Sequence, residues 1–342
     1  MLSPRVICSH IETSSEYEAE ADPIYFLSPD VKNMVLTAGI FAVITSICGT
    51  FSNLLILLAV GVTRQVKTTS TIFVLNLSVA EFLFSLIVLP MVAAQCFFIY
   101  RYNCSLLTDD HCAYFTTIRY ALGQIQVQSI MAIAFTRAIA IGIPSLFEYI
   151  NRGSVIKAYI AFIWIYSVGV RIPVALGEII DDRFGSYDFN NKTLECDIST
   201  DSPMTREVYI GLEVYFPIVF IWACYIFILM KVKQSTWAVR RASYTNNTSS
   251  DNCKSPQHEA LNERDLRVLR SVFIIFMILL ICAIPVGITH RGNIATDYPT
   301  VFISFHIMYW FQYSIDPVVY SIMNVNYREA FKDFFKKIFP CS

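Results

Sequence analysis

Residues 34–60 read MVLTAGIFAVITSICGTFSNLLILLAV, without one charged side chain. A bilayer core about 30 Å thick is crossed by roughly 20 apolar residues of helix, and this run has both the length and the composition. Six further runs follow it: Thr71–Phe98, Ala113–Ile143, Ala158–Gly177, Val208–Met230, Ser271–Thr289 and Pro299–Met323. Hydrophobic residues make up 55% of the chain and charged ones 15%, with mean hydropathy at +0.51, which does not fit a surface facing water. Buried helices of a large soluble protein would need amphipathic helices to cover them, and only the last fifteen residues offer one. The expected fold class is therefore an all-α membrane protein, a bundle of seven transmembrane helices with a short amphipathic eighth. Residues 1–33 form a tail without the apolar core of a signal peptide, so the first membrane helix is expected to act as the targeting signal.

Lys and Arg fix the expected orientation. The loops at Thr63–Ser70, Pro144–Lys157 and Lys231–Arg270, with the C-terminal tail, hold 16 of them against 7 on the opposite side. The excess places that first group in the cytoplasm and the N-terminus outside. The acids run the other way, 17 outside and 7 inside, so the outer face is negative. Net charge is only −1 and the cations form no dominant patch, which argues against a nucleic-acid partner. Residues 34–323 are the bundle and 324–342 an amphipathic helix with a tail. Within the bundle, 234–262 read as a third cytoplasmic loop rich in Ser, Asn, Thr and charge, disordered at its centre.

Two sequons, at Asn103 and Asn191, fall in expected outside loops and are candidate glycosylation sites. Of the ten cysteines, Cys8, Cys96, Cys104, Cys112 and Cys196 lie outside or near that boundary, where disulfides form. Pairing cannot be read from sequence; a bridge from Cys112 to Cys196 would pin the loop after the fourth helix over the bundle, and Cys8 with Cys104 is a second candidate. Cys341, near the C-terminus, is a candidate palmitoylation site.

Ionisable groups at membrane depth cost at least about 2.5 kcal/mol each and so face the bundle interior with a partner. They are Glu81, Arg119, Arg137, Arg171, Glu213 and Asp316. Pro217, Pro285 and Pro317 interrupt apolar helices, which lipid tolerates only where neighbours or water satisfy the freed carbonyls. They are either architectural kinks or pivots.

The order of marks along the chain resembles the rhodopsin-like (class A) G-protein-coupled receptors. Gly49-Thr50-Phe51-Ser52-Asn53 stands in the first helix and Leu75-Asn76-Leu77-Ser78-Val79-Ala80-Glu81 in the second, where the family has Asp at the last position. Cys112 opens the third, with Thr136-Arg137-Ala138 at the place of Asp-Arg-Tyr and Pro144 seven residues on. Trp164 marks the fourth and Pro217 with Tyr225 the fifth. Cys282-Ala283-Ile284-Pro285 keeps the Cys and Pro of the sixth-helix motif without its Trp, Asp316-Pro317-Val318-Val319-Tyr320 ends the seventh, and Tyr327–Phe339 is similar to the eighth helix.

This resemblance implies a cell-surface receptor in the plasma membrane that converts binding of an extracellular ligand into activation of a heterotrimeric G protein. It implies a Cys112–Cys196 disulfide and a ligand pocket near Arg119, Tyr120, Arg171, Glu213, His306 and Tyr309. Arg119 has no acidic partner within the membrane, so an anionic ligand group such as a carboxylate would supply one; Arg171 and Glu213 pair with each other or meet the ligand. Asn53, Glu81, Gln126, Gln312 and Asp316 are expected around a buried polar site that holds a sodium ion or is a hydrogen-bonded structural cluster. Arg137, Tyr225, Asp265, Pro285, Pro317 and Tyr320 are the expected coupling residues. Thr136, Ala138, Leu279 and Ala283 replace usual switch residues, which keeps a non-signalling binding or scavenging receptor in play.

An aminergic ligand is disfavoured because Arg119 stands where amine receptors place Asp, and retinal because the seventh helix has no Lys. A transporter would show repeated halves, and none is evident. No HExxH helix, nucleotide loop or clustered His/Cys spacing occurs in the sequence, so an enzyme reading has no chemistry to rest on.

Overall fold

The computed structural model describes residues 27–63, 69–107, 109–176, 185–190, 193–198, 203–246, 263–291, 294–323 and 325–338. Among them α1 is Pro29–Thr63, α2 Thr69–Tyr102, α3 Asp109–Gly142 and α4 Gly153–Gly169. The fifth helix, α5, runs as Pro203–Ile210, Gly211–Tyr215 and Phe216–Asn246, and α6 is Glu263–Arg291, α7 Pro299–Met323 and α8 Val325–Ile338. Six of the first seven are long and apolar enough to cross a membrane. The seventh, α7, has 25 residues but turns His306, Gln312, Tyr313 and Asp316 into the bundle.

Most helices outrun their apolar cores, because hydropathy marks the hydrocarbon-depth segment and helical hydrogen bonding continues past it. The largest difference is at α5, which extends to Asn246. Residues 234–246 of the expected third loop are therefore helix, and 247–262, which include its centre, lie outside the described residues. At the other extreme, α4 ends at Gly169 and is followed by a separate turn, Ile172–Ala175, instead of running on to Gly177. Pro173 explains the break, since its ring disfavours continuation of the preceding turn.

Large apolar side chains on the rim, among them Phe51 (68% exposed), Ile165 (73%) and Val219 (67%), form a surface that only lipid would cover. Inside, α3 is central and packs against α2, α4, α5 and α6, while α1 packs against α2, α7 and α8. Buried Ala330 and Phe334 of α8 sit on Ala59 of α1, and Lys332, Lys336 and Lys337 face away, as spacings of three and four residues dictate.

Proline positions account for the irregular turns. The π turn Phe84–Val88 precedes Pro90, and the π turn Gly211–Tyr215 precedes Pro217. Widening the turn relieves the clash of a proline ring with the carbonyl four residues back. In the wider register the carbonyl left without a donor by Pro90 is that of Ser85, and Ser46 Oγ of α1 donates to it at 2.7 Å. In α7, Pro317 strips the donor from Tyr313 O, and Asn53 Nδ2 of α1 supplies one at 3.1 Å. Gly49 allows this approach: a Cβ there would stand 2.4 Å from Ser85 Oγ and 3.1 Å from Tyr313 O. Asn76 ties three more helices, donating to Ser129 Oγ at 2.8 Å and accepting from Trp164 Nε1 at 2.9 Å.

Candidate functional site

At one end of the bundle a hairpin of β1 (Tyr187–Asn190) and β2 (Glu195–Ile198) lies across the helices. Its turn places Leu194 at φ 58°, a left-handed conformation. The disulfide between Cys112 and Cys196, with Cα atoms 5.5 Å apart, fastens β2 to the start of α3. Cys104 is also disulfide-bonded; Cys8, considered as its partner, lies outside the described residues, as do Asn191 and Cys341. Asn103 caps the end of α2 with φ 52°.

Alternation along β2 points Glu195 and Asp197 to the same side, with Cys196 between them. Glu195 Oε2 accepts from Arg119 at 2.9 Å, and Arg119 also donates to Cys196 O at 2.8 Å. Arg119 reaches this level because it sits seven residues, two helical turns, from Cys112. The expectation that Arg119 lacks an acidic partner is thus corrected: the acid comes from the loop held overhead, which a count of charges within the apolar runs omits. Burial alone would raise the Glu195 carboxyl; His306, Arg119 and His290 together outweigh it and hold the group below its ordinary range.

Tyr120 lies under the same strand, donating to Asp197 Oδ1 at 2.5 Å. Its ring is flanked by two guanidinium groups, those of Arg119 at 4.9 Å and Arg171 at 4.7 Å. Arg171 forms an ion pair with Glu213, so these two residues are joined across α4 and α5. The pair is 2% and 11% exposed, which makes each charge dependent on the other.

The cleft beneath the hairpin is walled by α1, α2, α3 and α7, with Val35, Gln95, Arg119, Glu195, His306 and Trp310 among its lining. Of the six sequence candidates for a ligand pocket, only Arg119 and His306 face this cleft. Tyr120 braces the strand, Arg171 and Glu213 are spent on each other, and Tyr309 lies deeper, its hydroxyl 3.1 Å from that of Tyr313. Sequence alone does not single out Glu195, Asp197 or His290. The available signal was the acid on each side of Cys196, which a strand turns toward whatever the disulfide covers.

Midway through the bundle the polar candidates do meet. Gln126 Nε2 donates to Glu81 at 3.2 Å, and the Glu81 and Asp316 carboxyl groups interact directly. Asn53 Oδ1, Gln126 Oε1 and Asp316 Oδ1 are buried and accept no hydrogen bond among the described residues. Gln312 is buried on the same face of α7, four residues before Asp316. At the α8 end, Thr136 Oγ1 donates to Ala132 O and Ile133 O of its own helix. The hydroxyls of Tyr225 and Tyr320 are buried there without a hydrogen-bond partner among the described residues. Asp265 is in α6, but its side chain lies outside the described residues.

The sequence model of the family described as "7 transmembrane receptor (rhodopsin family)" matches residues 52–320. The chain is 22% identical to the G-protein coupled receptor moody of Drosophila melanogaster over 88% of its own length and 51% of that protein. It therefore spans about half the length of that relative. It is 23% identical to the human melatonin receptor type 1B, over 85% of the chain and 75% of the receptor. The fold matches a crystal structure of squid rhodopsin at a TM-score of 0.71, covering 96% of this chain and 90% of that one at 18% identity.

Proposed function

The chain belongs to the rhodopsin family of seven-transmembrane receptors, and from that premise we propose that it lies in the plasma membrane with its N-terminus outside, binds an extracellular ligand under β2, and activates a heterotrimeric G protein at the α8 end. One observation carries the ligand side: a half-buried Arg119 whose acidic partner belongs to a loop rather than to the bundle. A carboxylate on a small molecule or peptide would present Arg119 with the same two-oxygen acceptor that Glu195 presents. Exchange of one for the other would free β2 from α3 at this point. Arg137 stands eighteen residues, five turns, further along the same helix, so a shift of α3 would reach it without an intermediary.

The mid-bundle site is read as a seat for a sodium ion. Its carboxyl and amide oxygens suit a hard cation, and three of them are buried without a donor. Two adjoining carboxylates cannot both stay ionised without a cation or a shared proton. The family's Asp is Glu81 here, a longer side chain, so the ion would sit in a geometry of this chain's own.

Nucleotide exchange on purified G proteins, driven by the receptor in nanodiscs against a library of carboxylate ligands, tests the reading. Stimulation by at least one ligand, weakened by Arg119→Ala and absent in Arg137→Ala, is the expected result. A second reading rests on Ala283 and Leu279, which lack the aromatic groups of the family's switch: a receptor that binds without signalling. Saturable ligand binding with no exchange on any G protein would select it.

A further inference from the structure

Beneath β2, three metal-ligating side chains converge from three elements: Glu195 from the strand, His290 from the end of α6 and His306 from α7. One ligating atom from each lies within 4.8 Å of the other two. His290 Nε2 and His306 Nε2 are 3.3 Å apart, and His306 Nε2 is 3.5 Å from Glu195 Oε1.

The far nitrogens of both rings face acceptors. His306 Nδ1 is 2.9 Å from Phe302 O, a carbonyl that can only accept, so Nδ1 carries the proton. Asp197 Oδ2 is 3.4 Å from His290 Nδ1 and favours a proton there as well. With both rings neutral and so oriented, two nitrogen lone pairs and a carboxylate oxygen would turn toward one point, which a shared proton or a metal ion can occupy. That arrangement is repulsive when nothing positive stands between them. It is also how proteins prepare histidines for a metal, with a carboxylate or carbonyl on the far nitrogen fixing tautomer and ring plane.

We propose that Glu195, His290 and His306 form a binding site for a zinc-class divalent cation, with Asp197 and the Phe302 carbonyl orienting the two imidazoles. Ligands about 2.0–2.2 Å from a tetrahedral zinc lie roughly 3.3–3.5 Å from one another, which two sides of the triangle already match. Rotation of the Glu195 side chain closes the third, and water completes the tetrahedron. Two imidazoles and one carboxylate favour zinc over magnesium or calcium, which prefer oxygen alone. Glu195 Oε2 would stay on Arg119 while Oε1 takes the metal. Zinc would then fasten β2 to α6 and α7, as the disulfide fastens it to α3.

This proposal does not rest on G-protein coupling, and its test uses none. The purified full-length chain, stripped with chelator, is titrated with zinc chloride by calorimetry and melted with and without zinc; cobalt chloride serves as the absorbing substitute. One saturable zinc per chain, a raised melting temperature, no response to magnesium and a tetrahedral cobalt spectrum are expected. His290→Asn and His306→Asn should each weaken zinc more than a hundredfold, and Asp197→Asn by about ten- to a hundredfold. Glu195→Gln keeps a hydrogen-bond acceptor for Arg119 and should still lose zinc, which separates loss of a ligand from collapse of the hairpin. The proposal is overturned by absence of saturable binding in the parent, or by zinc binding that persists unchanged in both histidine variants.

Discussion

Two polar clusters share this bundle and are built on opposite terms. Under β2, Arg119 meets Glu195 and Arg171 meets Glu213, so each of these charges has its opposite on the same chain. At mid-bundle, Glu81 and Asp316 adjoin with Gln126, and no Lys or Arg joins them among the described residues. The first cluster is neutralised by its own ion pairs and holds a strand in place. On the proposed reading, the second is left for an exchangeable particle, a proton or an ion, to complete. The difference separates a clamp from a sensor: removing a member of the first should cost stability, and removing a member of the second should not.

The largest effect should come from the clamp's covalent element. Replacing Cys112 and Cys196 together by Ser opens a bridge between residues 84 apart in sequence, worth about 4–5 kcal/mol in the chain-entropy model. Surface expression should fall, and the purified protein should melt at a markedly lower temperature. Unchanged melting would mean that the strand is held by its side chains alone.

Next in size is the Arg171–Glu213 pair. Arg171→Ala should destabilise by about 3–5 kcal/mol, because it strands a buried carboxylate. Replacing both residues with Met and Leu should recover most of the loss. Equal damage from the single and double variants would remove the pair from the clamp.

The mid-bundle site should answer with the opposite sign. Glu81→Gln or Asp316→Asn relieves repulsion, so melting in sodium-free choline buffer should stay level or rise by on the order of 1 kcal/mol. The parent should melt higher in sodium than in choline, and that difference should vanish in both variants. A loss as large as that of Arg171→Ala would show the two clusters to be alike and end the comparison.

The smallest effect concerns ligand-free signalling. Thr136 hydrogen-bonds its own helix and places no charge beside Arg137. The restraint that the family resemblance assigns to Asp265 would, at surface-pair strength, be worth only about 0–1 kcal/mol. Asp265→Ala should therefore raise basal nucleotide exchange several-fold at most, and Thr136→Asp should lower it. No change in either variant would place the resting restraint elsewhere.

The seven helices were legible because a charge-free run such as residues 34–60 needs no partner to declare itself. The mid-bundle site was legible for a related reason, since Glu81 and Asp316 stand out against apolar neighbours. Glu195, Asp197 and His290 did not stand out. They lie in or beside polar segments, where an acid or a histidine looks like any solvated group, and their meeting depends on a disulfide that folds one loop onto helices distant in sequence. Helix ends were also poorly marked: at α5 the polar continuation to Asn246 keeps its helical bonding after the apolar pattern has stopped.

The two proline-freed carbonyls caught by Ser46 and Asn53 have a mechanical consequence. Both catches are on α1, a single unbroken helix of 35 residues. The proline-interrupted helices α2 and α7 are thereby referred to one continuous helix, and α7 is pinned to it at Tyr313. The eleven residues from Tyr313 to Met323 then act as a lever arm about 15 Å long. A change of bend of about 10° at Tyr313 would carry its tip by roughly 2.6 Å while the fulcrum at Asn53 stays still. A cleft-side adjustment too small to alter the packing around α1 could thus be read out as a displacement of side-chain size where α7 meets α8.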